Sequence, residues 1–236
     1  NLCSVKDYQD FEMYVDWKIE KDGDAGIYLR GSPQVQIWDL ARTVVGAQLG
    51  SGGLYNNLNN PKNPLKIADN PIDEWNTFRI IMKGERVTVY LNGELVVDQS
   101  LLENYWDRKI PIFVKDAIEL QAHGNHITYR NIYVKELSPE AVYQVSDQEK
   151  FEGFEIMFDG SSLFNWTGNT IDYVPENGEL AINPKRGGKG NLYTKKEYGD
   201  FHMKFEFQLT PGANNGLGIR APLEGDAAYV AMELQI

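Results

Sequence analysis

Residues 10–19 read Asp10-Phe11-Glu12-Met13-Tyr14-Val15-Asp16-Trp17-Lys18-Ile19. Apolar side chains take every second place from Phe11 to Ile19, while Glu12, Asp16 and Lys18 fall opposite. That period of two marks a half-buried β-strand. The stretch also recurs. Residues 1–32 align without gaps to 191–222, with identities at Asn1, Leu2, Lys6, Tyr8, Asp10, Phe11, Met13, Gly26 and Arg30, so 10–19 corresponds to 200–209. After a nine-residue insertion, Val35-Gln36-Ile37 aligns with Leu234-Gln235-Ile236.

The offset of 190 residues sets the length of one repeat, and 236 residues cannot hold two. The expected division is the later part of one sandwich repeat (1–137), a polar linker (138–150) and the first part of a second repeat (151–236). Two arrangements satisfy it. Missing sequence completes each unit, or 151–190 folds back and completes the first, as in a circular permutation.

Working outward, strands are expected at 26–30, 34–38, 77–83, 87–91, 94–98, 117–122 and 126–137, with Asn92-Gly93 as a two-residue hairpin turn. In the second unit they are expected at 154–158, 179–182, 200–209, 216–220 and 229–236. A helical turn fits 100–106. Aromatic residues at 12% and 22 glycines agree with short strands and tight turns. The fold class is therefore all-β, an antiparallel sandwich of two sheets.

A formal net charge of −11 argues against a nucleic-acid binder, which needs a basic face. No apolar run is long enough for a membrane span. The opening residues show no basic stretch followed by an apolar one, the pattern of an export leader. One cysteine, Cys3, excludes an internal disulfide. Phosphate-loop, nucleophile-elbow and His-Glu-x-x-His motifs are absent.

Three groups carry candidate chemistry. Arg30 precedes Pro33 to Asp39, where Gln34 and Gln36 share one strand face and Val35 and Ile37 the other. Such a strand lines a wet groove or forms an exposed edge. Gln121 and His123 share a face in Leu120-Gln121-Ala122-His123-Gly124; the imidazole is either a proton carrier or a hydrogen-bonded structural group. His126 and His202 read as surface residues. Ser51-Gly52-Gly53-Leu54-Tyr55 either lets backbone approach a ligand beneath Tyr55 or is a flexible loop. Asp22-Gly23-Asp24 reads as a plain turn in preference to a calcium contact.

Several stretches resemble one known family. Phe158-Asp159-Gly160-Ser161-Ser162-Leu163 with Trp166, Tyr198-Gly199-Asp200-Phe201, Asn214-Asn215-Gly216, Arg220-Ala221-Pro222 and Glu233-Leu234-Gln235-Ile236 are similar to the 3-keto-disaccharide hydrolase domain. Gly26 to Gly31, Gln36-Ile37-Trp38-Asp39, Gly53-Leu54-Tyr55, Glu74-Trp75-Asn76-Thr77 and Leu120 to Gly124 continue the likeness. It implies a concanavalin A-like jelly roll and action on glycosides oxidised at C3, by deprotonation at C2, elimination at C1 and hydration. By position it implies His123, Asp39 and Arg30 as catalytic residues. Gln34, Gln36, Trp38, Tyr55, Gln121, Arg220, Glu233 and Gln235 would hold substrate. The expected partner is a glycoside or oligosaccharide, the setting bacterial periplasm or cell surface, and no cofactor or metal is called for. One departure stands out: Glu233 corresponds to Gln34, and an amide exchanges no proton at neutral pH. A non-catalytic carbohydrate-binding module is the alternative, and a laminin-G-like interaction domain a third.

Overall fold

The structure, a computed structural model, describes residues 1–43, 46–138 and 143–236. The first unit contains β1 (Leu2–Cys3), β2 (Phe11–Ile19), β3 (Asp24–Leu29), β4 (Ser32–Trp38), β5 (Asn76–Lys83), β6 (Arg86–Leu91), β7 (Glu94–Leu101), β8 (Glu119–Leu120) and β9 (Ile127–Glu136). They form two antiparallel sheets, β7-β6-β5-β2-β9 and β1-β8-β3-β4.

The alternation read in 10–19 decides which side of β2 is buried. Phe11, Met13, Val15, Trp17 and Ile19 are all at most 4% exposed. Beside them stand Phe78, Ile80 and Met82 of β5 and Val87, Val89 and Leu91 of β6. The facing sheet supplies Ala25, Ile27, Leu29, Val35 and Ile37, so one core lies between the layers. This is the all-β, concanavalin A-like sandwich of two antiparallel sheets. Asn92 (φ 52°) and Gly93 (φ 85°) both adopt the left-handed conformation of the expected hairpin turn.

The second unit contributes α1 (Asp147–Phe151), β10 (Trp166–Gly168), β11 (Tyr173–Glu176), β12 (Glu179–Ile182), β13 (Leu192–Thr194), β14 (Gly216–Ile219), α2 (Ala227–Val230) and β15 (Met232–Gln235). Its strands make three two-stranded ribbons, β10-β13, β11-β12 and β14-β15. Residues 159–194 pack on the first unit. Leu163 N–H donates to Glu85 Oε1 at 2.8 Å, Gly168 N–H to the Lys109 carbonyl at 2.7 Å, and Arg86 Nη2 to the Pro175 carbonyl at 3.0 Å.

Some expectations differ. Residues 154–158 and 200–209 are not strands, 100–106 holds no helix because β7 runs through Leu101, and 117–122 shrinks to β8. The strand expected at 229–236 begins only after α2. Within 138–150, residues 139–142 lie outside the described residues, and α1 follows with Ser146 and Glu149 as a reciprocal cap.

Candidate functional site

The site is built on the outward face of the β3-β4 hairpin. Register pairs Asp24 with Trp38 and Gly26 with Gln36, so Asp24, Gly26 and Tyr28 share that face with Gln34, Gln36 and Trp38. Gly26 has a packing reason. A Cβ there would stand 2.8 Å from Gln34 Cδ, so only glycine lets the Gln34 side chain lie flat across β3. Gln34 Nε2 then donates to Gln36 Oε1. Gln36 Nε2 donates onward to Asp24 Oδ1 at 2.9 Å and the Ala25 carbonyl at 2.8 Å. Both glutamines are nearly fully buried, and both are held by bonds, as buried amides must be.

Asp24 collects two more neighbours. His123 Nδ1 lies 3.4 Å and Arg42 Nη1 3.3 Å from its Oδ2. His123, beyond β8, is 60% exposed in its side chain, whereas Asp24 is only 13% exposed. Gln121 lies on the route from β8 to His123 and donates its backbone N–H to the Gly26 carbonyl at 2.9 Å. Burial and the Glu119 carboxylate raise the Tyr28 phenol, which stays a protonated donor at neutral pH.

The groove expected along β4 is present as an open cavity. Gln36, Trp38 and Tyr55, with Leu49, Lys62 and Pro64, line a cavity of about 210 Å³. Tyr55 stands edge-on to Trp38, centroids 5.2 Å apart, and is 42% exposed against 7% for Trp38. Tyr55 therefore offers the ring face and Trp38 braces it. The stretch 51–55 is an ordered neighbour of β4: Gly52 N–H donates to the Gln36 carbonyl at 2.8 Å, and Gln36 N–H to that of Gly53 at 3.0 Å. Gly52 faces Val96 in the core, so its missing side chain serves packing.

Two expected catalytic residues stand elsewhere. Arg30 sits at the β3-β4 turn with φ 49°, and this left-handed residue turns its side chain between the sheets. Its guanidinium donates to the carbonyls of Phe113 (3.2 Å) and Val114 (2.8 Å) and meets Met82 Sδ. Burial lowers it to about 10, although Asp10 and Glu85 pull the other way. It does not reach the amide pair. Asp39 lies beside the hairpin, but its carboxylate accepts the backbone N–H groups of Asp22 (2.7 Å) and Ala41 (3.0 Å). Those bonds tie the carboxylate to the turn before β3 and to the loop that follows β4. Sequence reading missed Asp24 and Arg42. Counting the period of two back from Tyr28 and Gly26 reaches Asp24, whereas Arg42 lies past the strand and has no such signal.

The second unit repeats the hairpin in β14-β15. Gly216 pairs with Gln235, and the Glu233 side chain lies over Gly216 as Gln34 lies over Gly26. Gln235 Nε2 donates to Asn214 Oδ1 at 2.6 Å and the Asn215 carbonyl at 2.9 Å, as Gln36 does to Asp24 and Ala25. Arg220 shares Arg30's positive φ but is exposed, bonded to the Gly199 carbonyl and Asp200. Among the described residues, no group of three or more His, Cys, Asp or Glu side chains could hold a metal ion.

No curated protein matches the chain. Among solved structures it is similar to two candidate glycosyl hydrolases from Parabacteroides distasonis. One is 27% identical with a TM-score of 0.48, over 57% of this chain and 67% of that one. The other is 21% identical with a TM-score of 0.47, over 58% and 76%. A carbohydrate-binding module from Bacillus subtilis is 13% identical with a TM-score of 0.37, over 57% and 80%. Residues 1–135 and 153–236 match a single sequence family, which accounts for both partial units, and the chain belongs to the family of the 3-keto-alpha-glucoside-1,2-lyase-like domain.

Proposed function

We propose that the first unit opens 3-keto-glycosides, with His123 as the base. One observation carries this reading: a buried amide pair, Gln34 and Gln36, joins a small open cavity through Asp24 to an accessible imidazole. The cavity volume of about 210 Å³ falls below the roughly 300–1,000 Å³ of sites for larger ligands. It suits one sugar ring, with the leaving group outside. Tyr55 presents a ring face and Lys62 a cation at the cavity wall, while the bonded Gln36 amide forms its polar floor.

A ketone at C3 acidifies the proton on C2. His123 Nε2 takes that proton, and the C–H electron pair forms the enolate with its charge on the C3 oxygen. When the enolate collapses, the C1–O bond breaks and the leaving oxygen takes a proton. Water then adds across the C1–C2 double bond, hydroxyl to C1 and proton to C2, so the net change is hydrolysis. Positioned proton transfer of this kind is worth about 10²–10⁴-fold.

The test is turnover of aryl 3-keto-glucosides beside the unoxidised parents. Aglycone should leave only the keto sugars, at least about 100-fold more slowly in His123→Gln. The amide at Gln34, where the second hairpin has Glu233, favours a second reading as a binding module. Sugar binding without turnover would establish that reading and overturn the first.

A further inference from the structure

Resting on the glycoside reading, we propose that Asp24 is the positioning residue of His123. Its carboxylate holds the imidazole proton on Nδ1 and leaves the Nε2 lone pair facing the sugar. A neutral imidazole carries one N–H, and the group beside each nitrogen decides where it sits. Here Nδ1 stands 3.4 Å from Asp24 Oδ2, a separation that closes to a hydrogen bond with a small ring shift. The carboxylate itself cannot drift. Gln36 Nε2 grips Oδ1 at 2.9 Å, and Arg42 lies 3.3 Å from Oδ2 while donating to the Asp22 carbonyl at 2.9 Å. When His123 becomes imidazolium on taking the C2 proton, the same carboxylate faces the new charge.

The repeat supplies an internal control. In the second hairpin Asn214 occupies the place of Asp24, and Gln235 bonds to its side-chain oxygen with the same pattern. A neutral acceptor is therefore enough to build the hairpin. The negative charge on Asp24 is surplus to that structural need, and it faces two ionisable groups, Arg42 and His123, of which His123 alone can move a proton at neutral pH. Glu233 carries the second hairpin's carboxylate on the neighbouring strand, over Gly216, so the two hairpins place their charges differently.

The test is Asp24→Asn in the full chain, with Asp24→Glu as the conservative partner. Nitrogen-15 NMR of the three histidines reads which ring nitrogen carries the proton and requires no turnover. In the wild type His123 should be the Nδ1–H tautomer. In Asp24→Asn the population should move toward Nε2–H, with a melting temperature close to wild type, since Asn214 already performs the acceptor role. With aryl 3-keto-glucosides, kcat should fall about 10- to 100-fold while KM stays within about threefold, and Asp24→Glu should recover part of kcat. An unchanged tautomer overturns the proposal, and so does a changed tautomer with unchanged kcat. If the wild type turns over no keto sugar, the glycoside reading falls alone, and the tautomer shift then decides whether Asp24 positions His123.

Discussion

At the residue scale, the site rests on the Gln34–Gln36 amide pair and the Asp24 carboxylate it holds. Gln34 and Gln36 follow from counting by two along a strand, because a pleated backbone leaves side chains no other choice. Arg30 and Asp39 lie where that rule stops, one on a left-handed turn and one past the strand end, and their side chains leave the face that spacing suggested. Gly26 ties the residue scale to the site. Adding a methyl there meets the far end of the flexible Gln34 side chain, which can swing away. Gly26→Ala should therefore lower stability by only about 1 kcal/mol, read by urea unfolding. Affinity for a 3-keto-glucoside should fall about tenfold, read by calorimetry, as Gln34 leaves Gln36. A large stability loss with full affinity would separate Gly26 from the amide pair.

At the element scale, identical patterning gives different outcomes. Residues 10–19 form β2 because β5 and β9 flank it. Residues 200–209 carry the same alternation, yet Phe201, Phe205, Phe207 and Leu209 stand exposed and no strand forms. A strand is stabilised by its neighbours across the ladder, and local sequence does not reveal whether they are present. The motif at 158–163 reads more completely. Asp159 Oδ1 accepts the Ser161 (2.8 Å) and Ser162 (3.2 Å) N–H groups, and this local turn delivers Leu163, 1% exposed, against the β5-β6 turn. Leu163→Ala should cost about 2–4 kcal/mol. Hydrogen exchange should show lost protection at Gly168 and Asn169, whose N–H groups bond to Lys109 and Asn191, before any loss between β2 and β5. Equal loss in both regions would show that 159–194 and the sandwich open as one unit.

At the scale of the whole molecule, the contact between the units is built around buried charge. Glu85, at the β5-β6 turn, accepts the Leu163 N–H and is buried. Burial raises its carboxyl to about 7, against the opposing pull of the Leu163 N–H, Arg30 and Arg86. Lys195 approaches from the second unit, bonded to the Phe164 carbonyl, and burial lowers it. The folded chain thus keeps a proton on Glu85 that the unfolded chain gives up near the ordinary value of 4.5. Protonation favours folding, so this contribution is complete below about pH 4.5 and disappears as pH rises through about 7. Its size is on the order of 3 kcal/mol. The informative quantity is a difference from wild type, in which every other group cancels. Glu85→Gln keeps an oxygen for Leu163 and loses the titration. Relative to wild type, its unfolding free energy in urea should gain on the order of 3 kcal/mol between pH 4.5 and pH 8, most of it between pH 5 and 7. A difference that stays flat across that range would mean Glu85 is as well solvated in the folded chain as in the unfolded one, and the junction would then have to open to water around it.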